Sequence, residues 1–172
     1  MNDLQAELLE NYDITIHSYE DNLIENVPDF LRKVDEITSL KEDSIIQLLD
    51  TDYICGEKHI NQAISQAIKA FEDNQNFAND KGLEICVRLS AQKQISEALK
   101  LLGIKNQCNI TVVYINVLDE QIVKMEELLS NRNDDLINTI DSDKIMKSYN
   151  LSSDKNMVDR INEKIALLAI KN

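Results

Sequence analysis

The sequence predicts an α/β fold, a two-layer sandwich in which a small mixed sheet packs against helices and the C-terminal half is helical. Three observations support this fold: short stretches of alternating apolar and polar residues, longer stretches with apolar residues at helical spacing, and no strand pattern near the chain end. The 172 residues fit one domain, and one proline and three glycines leave no obvious linker. We therefore expect residues 1–172 to form a single domain.

The first strand and two helices are predicted within residues 12–49. Residues 12–16 alternate between apolar and polar side chains, which is typical of a strand with one buried face. Pro28 suits the first turn of a helix whose apolar face follows at 30–34. The apolar group at 45–49 predicts a second short helix, and both helices are expected to cover the sheet.

The clearest helix is predicted over 59–71. Apolar side chains recur there at helical spacing for three turns, at Ile60, Ala63, Ile64, Ala67, Ile68 and Phe71. The small side chains of Ala63 and Ala67 allow close approach of a neighbouring element. Core packing explains them more simply than a binding groove does.

A strand, helix and strand are predicted in that order between residues 83 and 117. Residues 83–90 alternate, which predicts a strand, and a helix follows over 95–102 with Gly103 where a left-handed residue would end it. Residues 110–117 are too continuously apolar for an exposed strand, so this strand is expected to be central and covered on both faces. The order favours a right-handed parallel crossover.

Beyond residue 117 the pattern is helical. One stripe is formed by Ile122, Met125 and Leu129, and a final helix is expected to begin near Ser152 or Ser153. Its apolar stripe consists of Met157, Ile161, Ile165 and Leu168, and Ala166, Leu167, Ala169 and Ile170 extend the apolar character around the helix. Because this is more than a one-sided surface helix requires, we expect a second protein to cover it.

Composition excludes several classes of function. The chain has 18 Lys and Arg against 31 Asp and Glu, a net charge of -13, which disfavours broad charge-driven binding to nucleic acid. Three widely separated cysteines suit reduced thiols, and without paired cysteines a zinc site is disfavoured. Neither a signal peptide nor a membrane span is expected, so the protein is predicted to be cytoplasmic and free of membrane contact.

The usual catalytic motifs are missing from the sequence. Glycines only at 56, 82 and 103 cannot form a glycine-rich phosphate loop, and there is no G-x-S-x-G elbow. Acidic residues are abundant, but nothing in the sequence selects a pair at catalytic separation. We predict a non-enzyme without catalytic residues, metal or cofactor.

An ordered set of residues runs from the predicted helix at 59–71 to the start of the last helix. It consists of His59, Ile60, Ala63 and Ala67, then Ser90, Gln94, Ile95, Ala98, Leu99, Gly103 and Ile104, and finally Tyr149, Leu151 and Ser152. This set resembles the kinase-binding subunit of the KEOPS complex, the TPRKB family, in its archaeal form. The likeness covers most of residues 45–172. One departure is Ala91, where the family usually has glycine.

The resemblance implies a non-catalytic subunit that binds and regulates the atypical small kinase of KEOPS. Through that kinase it implies an indirect partnership with the threonylcarbamoyl-transferase subunit, which installs threonylcarbamoyl-adenosine in tRNA. It also implies recruitment of tRNA through the single-stranded 3′ CCA end. The kinase is expected to contact the last helix, through Ile161, Ile165, Leu168 and Ile170.

The segment 81–105 is the predicted RNA surface, because it carries five basic residues against two acidic ones. A short single-stranded end is held by pockets and by amide or aromatic contacts more than by many phosphate contacts. The candidate tRNA-binding residues are Lys58, His59, Arg88, Gln92, Lys93 and Gln94. Local packing is the simpler role for His59, as is a solvated helix face for Lys93. The alternative function is an acidic adaptor that self-associates through the last helix without touching RNA.

Overall fold

The computed structural model describes residues 9–170, except for the side chain of Ile170. Its sheet has three strands, β1 (Ile14–Leu23), β2 (Ile45–Asp50) and β3 (Gln107–Ile115), in the order β1-β3-β2. Both pairs of strands are antiparallel. The predicted α/β class is confirmed, but the predicted mixed sheet with a parallel crossover is wrong.

The helices, in chain order, are α1 (Val27–Thr38), α2 (Gly56–Glu72), α3 (Lys81–Ser90), α4 (Ile95–Leu102), α5 (Asp119–Leu128), α6 (Ser142–Ser148) and α7 (Met157–Ile170). Short 3-10 turns lie at Thr51–Tyr53 and Asp134–Asn138. The C-terminal part is helical, as predicted, although α7 begins at Met157 rather than near Ser152. Within residues 9–170, no helix combines the length and apolar character that crossing a bilayer requires.

The central strand β3 organises the core. Residues 110–115 are all fully buried. Ile110, Val112 and Tyr114 pack on one face of the sheet against α1 and α5, while Val113 and Ile115 pack on the other face against α2, α3 and α4. The predicted central strand is confirmed. Because helices cover both faces, the sandwich has three layers rather than the predicted two.

The helix predicted at 45–49 is wrong, because these residues form β2. The strand is in register with β3 from Ile45 opposite Ile115 to Asp50 opposite Ile110. Ile46 and Leu48 pack with one face of the sheet, and Leu49 packs with the other. A strand covered on both faces reads as a continuous apolar run, which its sequence does not distinguish from a buried helix.

The strand predicted at 83–90 is also wrong, because these residues belong to α3. Asp80 caps the start of this helix, because its Oδ1 accepts a 2.7 Å hydrogen bond from the backbone N–H of Leu83. Residues 84–90 are all buried, so the alternation of apolar and polar residues at 83–90 does not mark one buried and one exposed face of a strand. Without a strand here, the predicted crossover cannot form.

A buried ion pair fixes α3 and the loop before it. Arg88 Nε donates to Glu84 Oε2 at 2.7 Å, and the two side chains are 1 % and 0 % exposed. Glu84 Oε1 also accepts from the backbone N–H groups of Phe77 and Ala78. Arg88 donates to the Gln75 carbonyl and lies 4.3 Å from the centre of the Phe77 ring. With these partners, neither charge is left uncompensated in the core.

The helices predicted from one-sided patterns are confirmed. In α1, Pro28 occupies the first turn and Asn26 accepts a hydrogen bond from the N–H of Asp29. The predicted helix at 59–71 is α2, and the one at 95–102 is α4. Gly103 ends α4 with φ -65°, so the left-handed residue predicted there is absent.

The left-handed residue lies instead at the end of α3. Ala91 has φ 58° and ψ 28°, and its N–H donates to the Arg88 carbonyl at 3.0 Å. A β-carbon makes this conformation unfavourable by about 1 kcal/mol. Glycine would adopt it without that cost.

We expect Ala91→Gly to increase the free energy of unfolding by up to ~1 kcal/mol, because it relieves the left-handed alanine. Urea unfolding followed by circular dichroism measures the change. Ala98→Gly is the matched control, since Ala98 lies buried inside α4 and should lose stability. A destabilised Ala91→Gly variant would contradict the left-handed end of α3.

Candidate functional site at the terminal helix

The apolar stripe of α7 packs into the chain's own core. Ile161 and Ile165 are fully buried and pack with Cys55, Ile145 and Tyr149. Leu168 is 7 % exposed. The prediction that Ile161, Ile165 and Leu168 contact the kinase directly is therefore wrong, because helices and turns of the same chain already cover these side chains. The prediction for Ile170 falls on a side chain outside the described part.

The exposed apolar residues of α7 are the ones that extend around the helix. Leu167 is 42 % exposed, and Ala166 and Ala169 beside it are also exposed. A partner that covers α7 would meet these three residues. The buried apolar stripe of α7 then holds the helix against the rest of the protein.

The six predicted RNA-binding residues fall into two groups. Lys58, Gln92, Lys93 and Gln94 are exposed. His59 and Arg88 are 0 % and 1 % exposed. The prediction that these two residues contact RNA is wrong. His59 is enclosed by its hydrogen-bond partners, and Arg88 is held in the core by Glu84.

Both ring nitrogens of His59 are occupied inside the protein. Nδ1 accepts from the backbone N–H of Cys55 at 2.8 Å, and Nε2 lies 2.9 Å from the carbonyl oxygen of Leu89. Because a carbonyl only accepts, Nε2 carries the hydrogen and the ring is neutral. Burial lowers the pKa of His59 to about 4.

Tyr149 completes this buried cluster. Its ring packs edge-on against His59, with 5.3 Å between ring centres. Its hydroxyl donates to the carbonyl of Tyr53 at 2.6 Å and lies 3.3 Å from that of Leu89. The end of α3 is thereby tied to the segment between α6 and α7.

A surface cleft of about 320 Å³ opens beside this cluster. One wall is formed by residues 90–93, a second by residues 148–150, and a third by Lys164, Leu167 and Leu168 of α7. We call this the central cleft.

The central cleft combines charged, polar and apolar groups. The side chains that give it this character are the ammonium groups of Lys93 and Lys164, the amides of Gln92 and Asn150, and the exposed Leu167. This combination suits an anion attached to a planar or apolar group, such as a nucleotide.

Two left-handed residues shape the walls. Ala91 and Asn150 have φ 58° and 57°, and each ends a helical segment and turns the chain at the rim. Ser90 Oγ donates to the Val87 carbonyl and accepts from the Gln92 N–H, which fixes the first wall. The backbone thus presents Gln92 and Lys93 at the cleft edge.

Sequence reasoning missed much of this site. Gln92 and Lys93 were predicted, but Ser148, Asn150 and Lys164 were not. One signal was available: Arg160 and Lys164 are spaced four residues apart in a helix that is otherwise strongly apolar, which places two cations on one side of it.

The described residues contain candidate metal ligands and three thiols. In residues 9–170, no group of three or more His, Cys, Asp or Glu side chains is placed to hold a metal ion. The three cysteines are free, and burial raises the pKa of Cys86 to about 12, which leaves it protonated at neutral pH.

We expect His59 to make the protein sensitive to mild acid. Unfolding restores its pKa from about 4 to about 6.5, so stability is complete above pH 6.5 and falls as the pH drops toward 4, by roughly 3 kcal/mol in total. Urea unfolding between pH 4 and pH 7.5 measures this dependence.

His59→Gln should flatten this part of the stability curve, because glutamine does not titrate. His17→Gln is the comparison at the other histidine, whose pKa is also lowered by burial and by Arg132. An unchanged slope in His59→Gln would contradict the neutral, buried ring.

Comparisons with known proteins show the family of this chain. A family model described as kinase binding protein CGI-121 matches residues 22–171, a range that includes the whole central cleft. The regulatory protein Cgi121 of Methanocaldococcus jannaschii is 34 % identical over 128 residues, which cover 73 % of this chain and 83 % of that protein. The chain belongs to the CGI-121 kinase binding protein family.

Proposed function

We propose that this protein is a non-catalytic, regulatory subunit of the KEOPS complex that binds the atypical small kinase and helps recruit tRNA through its 3′ CCA end. The threonylcarbamoyl-transferase subunit is then an indirect partner. The main supporting observation is the central cleft, where Lys93 and Lys164 meet the exposed apolar face of α7 in a chain of net charge -13.

The exposed face of α7 is the proposed kinase contact. The family description names kinase binding, and Leu167 with its two neighbouring alanines gives α7 an apolar face outside the core. Covering Leu167 removes apolar surface from water, while the small alanines let a partner approach the helix backbone closely. The helix is held in position for this contact by its buried residues Ile161, Ile165 and Leu168.

We expect Leu167→Glu to weaken binding of the small kinase by roughly tenfold or more, because it places a charge in the apolar contact. Isothermal titration with purified kinase measures the loss, and circular dichroism checks the fold. Leu31→Glu is the matched control, because Leu31 is similarly exposed, at 39 %, but lies on α1 across the sheet. Ile165→Glu is unsuitable, since it would bury a charge in the core.

Kinase binding that survives Leu167→Glu would contradict this contact. Light scattering on the isolated chain adds a second check. A dimer that Leu167→Glu dissociates would favour the self-associating adaptor instead.

The central cleft is the proposed site for the RNA end. It offers two ammonium groups for phosphates and two amides for base edges. A long duplex would meet acidic surface elsewhere, whereas a short single strand fits a cleft of about 320 Å³. Of the residues predicted from sequence, Gln92 and Lys93 line the cleft; Lys58 and Gln94 are exposed but do not line it.

We expect removal of the CCA end from tRNA to abolish most of its affinity for the full chain. Lys164→Gln should weaken binding of intact tRNA by roughly fivefold, because it removes one phosphate contact. Gel shift at fixed salt measures both effects. Lys33→Gln is the matched control, because Lys33 is an exposed lysine on α1. Equal binding of trimmed and intact tRNA would contradict the role of the cleft.

A further inference from the structure

The outer edge of β1 is covered along only part of its length. The strand order β1-β3-β2 places β1 at one side of the sheet. Residues 131–134 run antiparallel to its second half, where the Ser18 carbonyl accepts from the N–H of Asn133 at 2.8 Å. At Asp134 the chain enters a 3-10 turn. Before Ser18, no strand among the described residues pairs with this outer edge.

The backbone groups of Ile14 and Ile16 point toward the uncovered part of the edge. In an antiparallel pair, alternate residues direct their N–H and C=O groups to the partner strand. Asp13 bonds to Asn116 at the end of β3 through both groups, at 3.0 and 2.8 Å, whereas Ser18 uses both of its groups on the outer side. Ile14 and Ile16 are an even number of residues from Ser18, so their N–H and C=O groups also face outward.

An apolar pocket of about 420 Å³ lies beside these backbone groups. Its walls are formed by the apolar or aromatic side chains of Leu9, Tyr12, Ile14, Ile16 and Ile137, together with Glu57, Asn61 and Asp134. The side chains of Ile14 and Ile16 lie on the sheet face that packs against α2. We call this pocket, together with the uncovered edge, the β1 groove. It shares no lining residue with the central cleft.

The β1 groove is acidic. Two of its eight lining residues, Glu57 and Asp134, carry carboxylates, and none is basic. Asp134 is paired with Arg132 at 3.0 Å, and Glu57 is exposed in the first turn of α2. Asp13, next to Tyr12 in the chain, is also exposed. A ligand with apolar side chains and positive ends therefore complements the groove.

We propose that the β1 groove binds an extended segment of a partner protein as an additional antiparallel strand, with apolar side chains at alternate positions and Lys or Arg at both ends. Such a strand continues the line of residues 131–134 along the edge of β1. Directly opposite residues in antiparallel strands place their side chains on the same face, so the residues opposite Ile14 and Ile16 fill the pocket. Main-chain hydrogen bonds supply affinity in this mode of recognition, and the alternate side chains supply specificity.

This inference goes beyond the proposed function, because it uses neither the exposed face of α7 nor the central cleft. Charge also distinguishes the partner segment from two other occupants. Residues 1–8 of this chain contain two acidic side chains and no Lys or Arg. A second copy that paired through the same edge would bring the carboxylates of both grooves together.

Nuclear magnetic resonance titration of the ¹⁵N-labelled full chain with the peptide Lys-Ser-Val-Thr-Val-Ser-Lys tests the proposal. We expect the amide resonances of Ile14 and Ile16 to shift and their exchange with water to slow. N-methylation of both valines should weaken binding by roughly tenfold or more, because it removes the N–H groups that bond to β1. N-methylation of the threonine is the matched control, since its N–H points away from β1 and binding should persist.

The charge of the groove has its own test. Glu57→Gln should weaken binding of the same peptide by about threefold, because it removes a carboxylate next to a lysine of the peptide. Glu36→Gln is the matched control, since Glu36 is an exposed glutamate on α1, which lies across the sheet. A peptide with Asp in place of both lysines should bind more weakly than the original.

Three results would overturn the proposal. The first is equal binding of the valine-methylated and threonine-methylated peptides, or no shift at Ile14 and Ile16 with millimolar peptide. The second is binding that appears only after residues 1–8 are removed, which would make the chain's own first residues the occupant. The third is a dimer in light scattering that Ile16→Asp dissociates, which would make a second copy the occupant.

Discussion

The Tyr149 hydroxyl and the His59 ring meet at the carbonyl of Leu89, and the geometry of the site depends on this contact. Leu89 is in the last turn of α3, His59 is in the first turn of α2, and Tyr149 ends α6. Three separate parts of the chain are thus tied to one buried oxygen. Because all three side chains are at most 4 % exposed, water does not compete for these hydrogen bonds.

The contact explains why a buried histidine matters to a surface cleft. If His59 took up a proton, Nδ1 could no longer accept from Cys55, and the charge would lie in the core. The cleft walls at residues 90–93 and 148–150 lie at the ends of α3 and α6. Weakening the contacts among His59, Tyr149 and Leu89 would therefore move both walls. His59 therefore acts on the site through structure, which replaces the direct RNA contact predicted from sequence.

The helices that sequence predicts correctly have one solvent-exposed face. The helices α1, α2 and α4 alternate between core and solvent, and the pattern of their residues records that alternation. The errors at β2 and α3 have a common cause, since neither element contains an exposed residue, and the pattern of apolar and polar side chains there does not mark a face turned to solvent. A better clue to α3 was the spacing of Glu84 and Arg88, which pairs two charges only in a helix.

The site was harder to predict because distant segments build it. Lys164 reaches the cleft because α7 lies along α2, where Gln66 donates to the Ile165 carbonyl at 2.6 Å and Asn162 donates to the Lys58 carbonyl at 3.3 Å. Neither contact can be inferred from the sequence near Lys164. The many apolar residues of α7 did draw attention to this helix. The sequence alone could not show which of them pack in the core and which remain exposed.

The distribution of charge decides which ligand such a site can take. Residues 9–50 contain eleven acidic and three basic side chains, and this segment includes β1, α1 and β2. The helix α1 covers the sheet face opposite α2 and α3. Solvent-exposed charges farther apart than the Debye length, about 8 Å in physiological salt, are largely screened from one another. An RNA end bound in the central cleft, as we propose, would meet Lys93 and Lys164 first, whereas a long duplex would extend into the field of the acidic face.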